Sequence, residues 1–397
     1  MSRVSVLGLG GAGLSESAKV RLAEAELVLG GSRQLEAIET NGARRLRLGG
    51  DLGPALAAIE EACGPVVVLA SGDPGFFGIV RALGERLGRR DLEVLPAPSS
   101  IAVAFARAGL AWDDALVVSA HGRDPRRAVN ACRAHPKVAV LTEPRFGPAE
   151  LAAALAGLER TLVVCERLGE PDERVVEGAP AEIAAAAWAD PNVVLVVEEQ
   201  RLIGEKGWAW PAWPTPAGWA LSEEEFAHRD GMITKPEVRA LALARLGPGV
   251  GELVWDVGAG SGSVAVECAR FGAAAIAIEQ NADDCARIRA NAERHRVAVE
   301  VVAGEAPAAL AGLPAPDAVF VGGGGSAETL SICAERATRV VVVALVGLER
   351  VVPAAELLAA RGLEVETTLV QAARLRKTAS LHRLAALNPV FLVSGVR

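Results

Sequence analysis

No stretch of the chain constrains it more than Leu253–Arg270, LVWDVGAGSGSVAVECAR. An apolar run ending in Asp256 reads as a buried strand, and SVAVECAR reads as the helix that follows it. Between them, glycines at 258, 260 and 262 let the backbone turn sharply and let a ligand lie against main-chain N–H groups with no Cβ in the way. A tight strand-to-helix turn alone could explain such glycines. The adjoining run AAAIAIE adds to them, because Glu279 ends the next strand about 20 residues on, where a carboxylate can accept hydrogen bonds from both hydroxyls of a ribose. The pair points to an adenosine-containing ligand bound by Asp256, Gly258, Ala259, Gly260, Ser261, Gly262 and Glu279.

A dinucleotide fingerprint would carry a third glycine at the place of Ser263, to admit a pyrophosphate at the helix N-terminus. The serine there, and Asp256 as a partner for a cationic methionine end, favour S-adenosylmethionine. A nicotinamide dehydrogenase is the rival reading. Farther along, VVAGEAP, including Gly304, is expected beside an adenine. PDAVFVGGGGS ends a strand in Gly322–Gly325, which reads equally as a flexible loop or as backbone held close to a bulky substrate.

β-branched runs alternate with alanine- and leucine-rich helical patterns throughout, which predicts α/β architecture on mostly parallel sheets. Strands are expected at 4–9, 66–70, 115–119, 138–142, 161–165 and 193–197, then at 253–257, 275–279, 297–302, 318–321, 340–345 and 387–396. The 397 residues suit two domains, each able to bury a core. We read residues 1–202 as the first, 203–222 (IGEKGWAWPAWPTPAGWALS) as a Trp- and Pro-rich linker whose rings pack on a domain surface, and 223–397 as the second.

A formal charge of −8 argues against nucleic acid as partner, and the absence of tyrosine excludes the N-P-P-Y motif of amino-methylating nucleic-acid enzymes. The six cysteines are scattered without a C-x-x-C pair, so no metal site is expected and the thiols suit a reducing compartment. No run approaches the roughly 18 apolar residues of a membrane span, and the expected location is the cytoplasm.

In order, GMITKPEVRALAL, LVWDVGAGSGSVAVECAR, AIAIE, VVAGEAP and PDAVFVGGGG resemble the C-terminal half of the decarboxylating precorrin C(5,15)-methyltransferases of cobalamin biosynthesis. The resemblance implies a Rossmann-like class I methyltransferase sheet, S-adenosylmethionine as cofactor with Thr234 and Ala306 among its contacts, and methylation at C-15 with loss of the ring C acetate carboxyl group. Over roughly Val4–Glu199, VSVLGLG, AEAELVLGGSRQL, VVVLASGDPGFFG, LPAPSSIAVAFARAGL, VVSAHGR and CERLGEPDERV resemble the two-subdomain tetrapyrrole methylase fold. That likeness implies C-5 methylation, with Ser71, Gly72, Asp73, Pro74, Ser99, Ser100 and Ile101 lining a cofactor cleft and Thr142 opposite. Taken alone, SGDP is a turn with an Asx cap and PAPSS a serine-capped helix start. The chain departs from the family pattern at Gln34, where histidine is common, and at Ala344 and Gly347, where asparagine and threonine are usual.

A sulfonium methyl group needs an electron-rich carbon held in line, so positioning supplies much of the acceleration. A reduced tetrapyrrole offers such carbons and carries many carboxylates, which arginine and lysine can grip. Lys235, Arg239, Arg374, Arg376 and Lys377 are the candidates for that grip, a solvated basic face being the alternative. His121 and His382 are candidates for moving protons, the alternative being that each hydrogen-bonds a loop. The substrate is expected to be the metal-free precorrin-6B. A cobalt-containing precursor and a non-catalytic tetrapyrrole or cofactor sensor stay open. Homo-oligomerisation fits both domain types.

Overall fold

The computed structural model describes residues 4–11, 13–201, 218–229, 231–378 and 381–397. The chain divides into two compact units, one of residues 1–113 with 139–197 and the other of 114–138 with 198–397.

The first unit opens with a parallel sheet of β1 (Val4–Leu9), β2 (Leu27–Gly30), β3 (Arg44–Arg47), β4 (Val66–Ser71) and β5 (Leu92–Leu95), in the order β3-β2-β4-β1-β5. Its central strands are buried on both faces. Val4, Val6, Leu27, Leu29, Val66 and Val68 pack against Ala55, Ile59 and Leu83 on one side, while Leu7, Val28, Val67 and Leu69 meet Ala18, Leu22 and Leu35 on the other. Such strands read as continuous apolar runs, which is why β1 and β4 stand out in the sequence. β3, RRLR, lies on the edge with its arginines in solvent, and no alternation announces it.

β6 (Leu116–Ser119) falls in the second unit; β7 (Lys137–Leu141), most of it in the first unit, lies side by side with the first unit's β10 (Asn192–Val197), β8 (Thr161–Glu166) and β9 (Arg174–Gly178), in that order. β8 and β10 are antiparallel, with Cys165 opposite Val193.

The second unit is built on a seven-stranded sheet of β11 (Leu253–Val257), β12 (Ala274–Glu279), β13 (Glu300–Ala303), β14 (Ala318–Val321), β15 (Val340–Leu345), β16 (Glu364–Val370) and β19 (Val390–Val396). The order is β13-β12-β11-β14-β15-β19-β16, with β19 antiparallel between its two neighbours and the inner strands parallel. β11 is therefore an inner strand, and its carboxyl end, where ligands of open α/β sheets bind, carries the glycine turn.

The strand expected at 297–302 begins only at Glu300, because Val297 closes the preceding helix by donating to the Ala292 carbonyl. Arg374, Arg376 and Lys377, expected to grip substrate carboxylates, stand on a two-stranded hairpin of β17 (Ala373–Thr378) and β18 (Leu381–Ala386). Most of the 203–222 segment, including Trp208, Trp210 and Trp213, lies outside the described residues. Trp219 is 58% exposed, with its ring 6.3 Å from that of Phe271. Among the described residues no helix is long and apolar enough to cross a membrane, and no group of three or more His, Cys, Asp or Glu is placed to hold a metal ion.

Candidate functional site

At the end of β11 the backbone turns through positive φ at Gly258 (+69°), Gly260 (+55°) and Gly262 (+70°). At Gly262 glycine is required twice over, since a Cβ would also sit 2.8 Å from the Ile288 side chain. The turn is tied to β12: Gly258 and Ala259 both donate to the Ile278 carbonyl, at 2.9 and 3.2 Å.

Glu279 accepts hydrogen bonds from Gly260 N–H on Oε2 at 2.8 Å and from Asn281 N–H on Oε1 at 2.9 Å. One bond per oxygen fixes the carboxylate beside the turn and leaves each oxygen an acceptor site for a ligand hydroxyl. Gly304 donates to the Glu279 carbonyl at 2.9 Å, which brings the VVAGEAP segment, with Ala306, to the same end of the sheet.

Asp256 is placed differently from the expectation. It is 1% exposed, and Oδ2 accepts from Ala265 N–H at 2.9 Å in the first turn of the helix Ser263–Arg270. The carboxyl group lies beneath the turn rather than toward a cationic ligand. Burial, with a smaller push from the Glu279 charge, raises its pKa to about 7.

Asn291, which the sequence reading missed, is 1% exposed and fastens two segments. Its amide donates to Ser261 O at 2.8 Å and Ala227 O at 2.9 Å, and its oxygen accepts from Ala227 N–H at 2.7 Å. An asparagine on the polar helix ADDCARIRANAER gives no local sign of such a role.

The basic candidates separate. Arg239 is wholly buried: its guanidinium bonds Glu267 at 2.6 Å, Thr234 O at 2.5 Å and Leu221 O, and lies over the Phe226 ring. Glu267 in turn accepts from the Ala220 and Leu221 N–H groups. This pair braces the 220–239 segment and, being wholly buried, Arg239 presents no donor at the surface to a substrate, contrary to the sequence expectation. Thr234 enters the brace through its carbonyl.

Lys235 pairs with Glu223, and Arg374 bonds both Glu223 (2.8 Å) and Glu237 (2.9 Å), which raise its pKa and fix the root of the hairpin. Arg376 and Lys377 are exposed on β17, opposite Arg383 and His382 respectively. His121 is exposed in the turn after β6.

In the first unit, β1 and β4 run in register, so that Gly8 and Leu9 stand opposite Ala70 and Ser71. Backbone closes around Gly8: a Cβ there would sit 2.1 Å from Gly72 O and 2.4 Å from Ala97 N. Gly72, at φ +61°, donates to Leu9 O at 2.7 Å and accepts from Ala97 N–H at 3.3 Å. The SGDP and PAPSS turns thus meet.

Asp73 caps its own turn, accepting from Gly75 N–H at 2.8 Å, and Ser99 caps the helix Ser100–Ala108, accepting from Ala102 N–H at 3.2 Å. Pro74 follows in the same turn, while the side chain of Ile101 is fully buried. Gln34 donates to the Ser71 hydroxyl at 2.8 Å. The Thr142 hydroxyl lies 3.0 Å from Asn192 O and 2.5 Å from Asn192 Oδ1, so its single proton is used within the fold.

Residues 6–184 match the family described as Tetrapyrrole (Corrin/Porphyrin) Methylases, and residues 224–396 match the Precorrin methyltransferase domain. A precorrin-6Y C(5,15)-methyltransferase (decarboxylating) from Sinorhizobium sp is 41% identical over 343 residues, covering 82% of this chain and 79% of the relative. Two shorter relatives each cover about half of the chain and nearly all of themselves. They are a cobalt-precorrin-7 C(5)-methyltransferase of Salmonella typhimurium (31% identical, 50% of this chain, 100% of the relative) and a probable cobalt-precorrin-6B C(15)-methyltransferase of Pyrobaculum calidifontis (36%, 47% and 98%). With both family matches in tandem and a two-thirds-spanning relative at this identity, the chain belongs to the decarboxylating precorrin-6Y C(5,15)-methyltransferase family.

Proposed function

We propose that the chain methylates precorrin-6B twice with S-adenosylmethionine, at C-5 through residues 1–202 and at C-15, with loss of the ring C acetate carboxyl group as carbon dioxide, through residues 223–397. The observation that carries the cofactor assignment is Glu279, held by Gly260 and Asn281 N–H groups with one acceptor site free on each oxygen beside a turn that side chains would fill. Bound there, the cofactor would supply an electrophilic methyl group. The chain's own residues bind and orient. Glu279 would take the ribose hydroxyls, the Gly258–Gly262 turn would lie under the methionine portion, and the 303–306 segment would flank the adenine. Ser71–Pro74 and Ser99–Ile101 would form the corresponding floor in the first half.

For the substrate, Arg376 and Lys377 hold exposed charge that no carboxylate among the described residues neutralises, which suits the acid arms of a tetrapyrrole. Methyl transfer forms a C–CH3 bond and breaks the S–CH3 bond. In the decarboxylation, the electrons of the broken C–CO2 bond flow into the conjugated macrocycle. Holding the acetate arm away from water favours that loss. The two-domain relative bears the metal-free name, which favours the metal-free substrate.

The test is incubation of the full chain with S-adenosylmethionine and metal-free precorrin-6B, read by mass spectrometry. Two added methyl groups and one lost carbon dioxide are expected from the wild type. Glu279→Ala should keep one methylation and lose the decarboxylating one. Turnover of only the cobalt-containing precursor would replace the substrate assignment, and cofactor binding without any turnover would favour a sensor.

A further inference from the structure

We propose that Arg350 is a positioning residue of the C-terminal site, holding the Gly322–Gly325 loop in the shape in which it meets the Gly258–Gly262 turn; this rests on assigning methyl transfer to that half. The two loops follow adjacent strands, β14 and β11, and touch backbone to backbone. A Cβ on Gly322 would lie 2.7 Å from Gly258 O, and one on Gly258 would lie 3.0 Å from Gly322 O. Whatever moves the first loop therefore moves a wall of the turn assigned to the cofactor.

Four consecutive glycines hold no shape by themselves. They have no side chains to pack, and they lose more backbone freedom on ordering than any other residue. Gly323, Gly324 and Gly325 nevertheless stand at φ +63°, +81° and +52°. Arg350 supplies the missing restraint from the turn between β15 and the helix Val351–Ala360. Its Nη1 donates to Gly323 O at 3.0 Å and its Nη2 to Gly325 O, so one guanidinium grips the carbonyls on either side of Gly324. The grip is close: a Cβ on Gly324 would sit 2.3 Å from Leu345 Cδ2 and 3.0 Å from Arg350 Cζ.

Among the described residues no carboxylate lies within ion-pair distance of Arg350, so its donors serve the loop. Beside the loop is a cavity of about 150 Å3 lined by Gly325, Leu330, Leu345, Pro353, Ala354 and Leu357, room into which an untied loop can sink. A planar fork spans two carbonyls at fixed separation, whereas an ammonium group is a point donor, so lysine substitutes only in part. Misplacing a reacting group by about 1 Å can cost on the order of 100-fold in rate, so the clamp belongs to catalysis although Arg350 acts only through the loop.

The test uses Arg350→Met and Arg350→Lys in the full chain, with deuterium exchange of the peptide spanning Gly322–Gly325, thermal melting, and steady-state kinetics of the decarboxylating methylation. Methylation by the N-terminal half is the internal control. We expect Arg350→Met to speed exchange in the loop and to lower kcat roughly 10- to 100-fold, by more than it raises KM for S-adenosylmethionine. Melting and the control reaction should be unchanged, and Arg350→Lys should recover part of the loss. Loop exchange like the wild type overturns the clamp, as does kcat within about 2-fold of wild type, or an equal loss in both variants accompanied by a lowered melting temperature. Were the wild type itself to show no decarboxylating methylation, the assigned reaction would fail while the exchange data still decided the clamp.

Discussion

Replacing Asp256 by asparagine tests the burial of the C-terminal turn through its pH dependence. Asp256 is 1% exposed and has a folded-state pKa of about 7, against roughly 3.9 in an unfolded chain. A carboxyl group whose pKa is raised by folding contributes stability that is complete below the unfolded value and lost as pH rises through the folded one, because the native state holds the proton longer. Integrating the two titrations, wild type should lose about 2.5 kcal/mol between pH 5 and pH 8 from this group alone.

The Asp256→Asn side chain would keep an oxygen for Ala265 N–H and carry no charge, so the variant has no such slope. The stability difference between variant and wild type should therefore shift in favour of the variant by about 2.5 kcal/mol across that range, roughly 5–10 °C in melting temperature for a domain this size. Urea unfolding of both full-length proteins at the two pH values, followed by deuterium exchange of peptides containing β11, reads the difference for this half separately. A difference that changes by less than about 0.5 kcal/mol between pH 5 and pH 8 would refute the argument and mean that Asp256 is ionised throughout.

Other perturbations follow from the same structure. Arg239→Met should destabilise the C-terminal half by about 3–5 kcal/mol, since it leaves the buried Glu267 charge with only the looser partner Arg270 at 3.7 Å, and adding Glu267→Gln should recover part of that; denaturant midpoints of single and double variants decide it. Burial, with the nearby Arg201 charge, lowers the His135 pKa to about 3, so its contribution is complete above about pH 6.5 and lost as pH falls. His135→Gln should accordingly weaken the acid sensitivity of melting below about pH 6.5. Arg376→Glu with Lys377→Glu should raise KM for the tetrapyrrole roughly 10-fold or more while leaving KM for S-adenosylmethionine unchanged, which initial rates would show.

The features legible in the chain were those whose physics is local. Strand, glycine turn and helix at 253–270 follow from hydrophobic period and from backbone conformations that favour glycine, all within a few residues, and β1, β4, β12 and β14 announce themselves as mostly apolar runs, broken in β1 only by Ser5, because both faces are covered. β3, β9, β16, β17 and β18 go unmarked because each leaves much of its surface in water, so no hydrophobic pattern announces them, while β2 and β5 go unmarked because four residues, even the fully buried LVLG of β2, are too few to show a period.

What only the tertiary structure decided is where each charged or polar side chain spends its bonds. Arg239 and Arg376 are alike in sequence, yet one is committed 28 residues away to Glu267 inside the domain and the other stays in solvent. Asp256 and Glu279 both stand at the carboxyl ends of buried strands, Asp256 one residue before the last, but packing sends the first beneath the turn and leaves the second at its edge. Asn291 and Arg350 reach across 30 and 27 residues to fasten loops whose own sequences are nearly bare of side chains. Sequence by itself determined the order of strands, turns and glycines, because backbone preference and hydrophobic period act over short separations. The assignment of partners awaited the fold, because a hydrogen bond or ion pair forms only between groups that distant chain segments bring within about 3 Å.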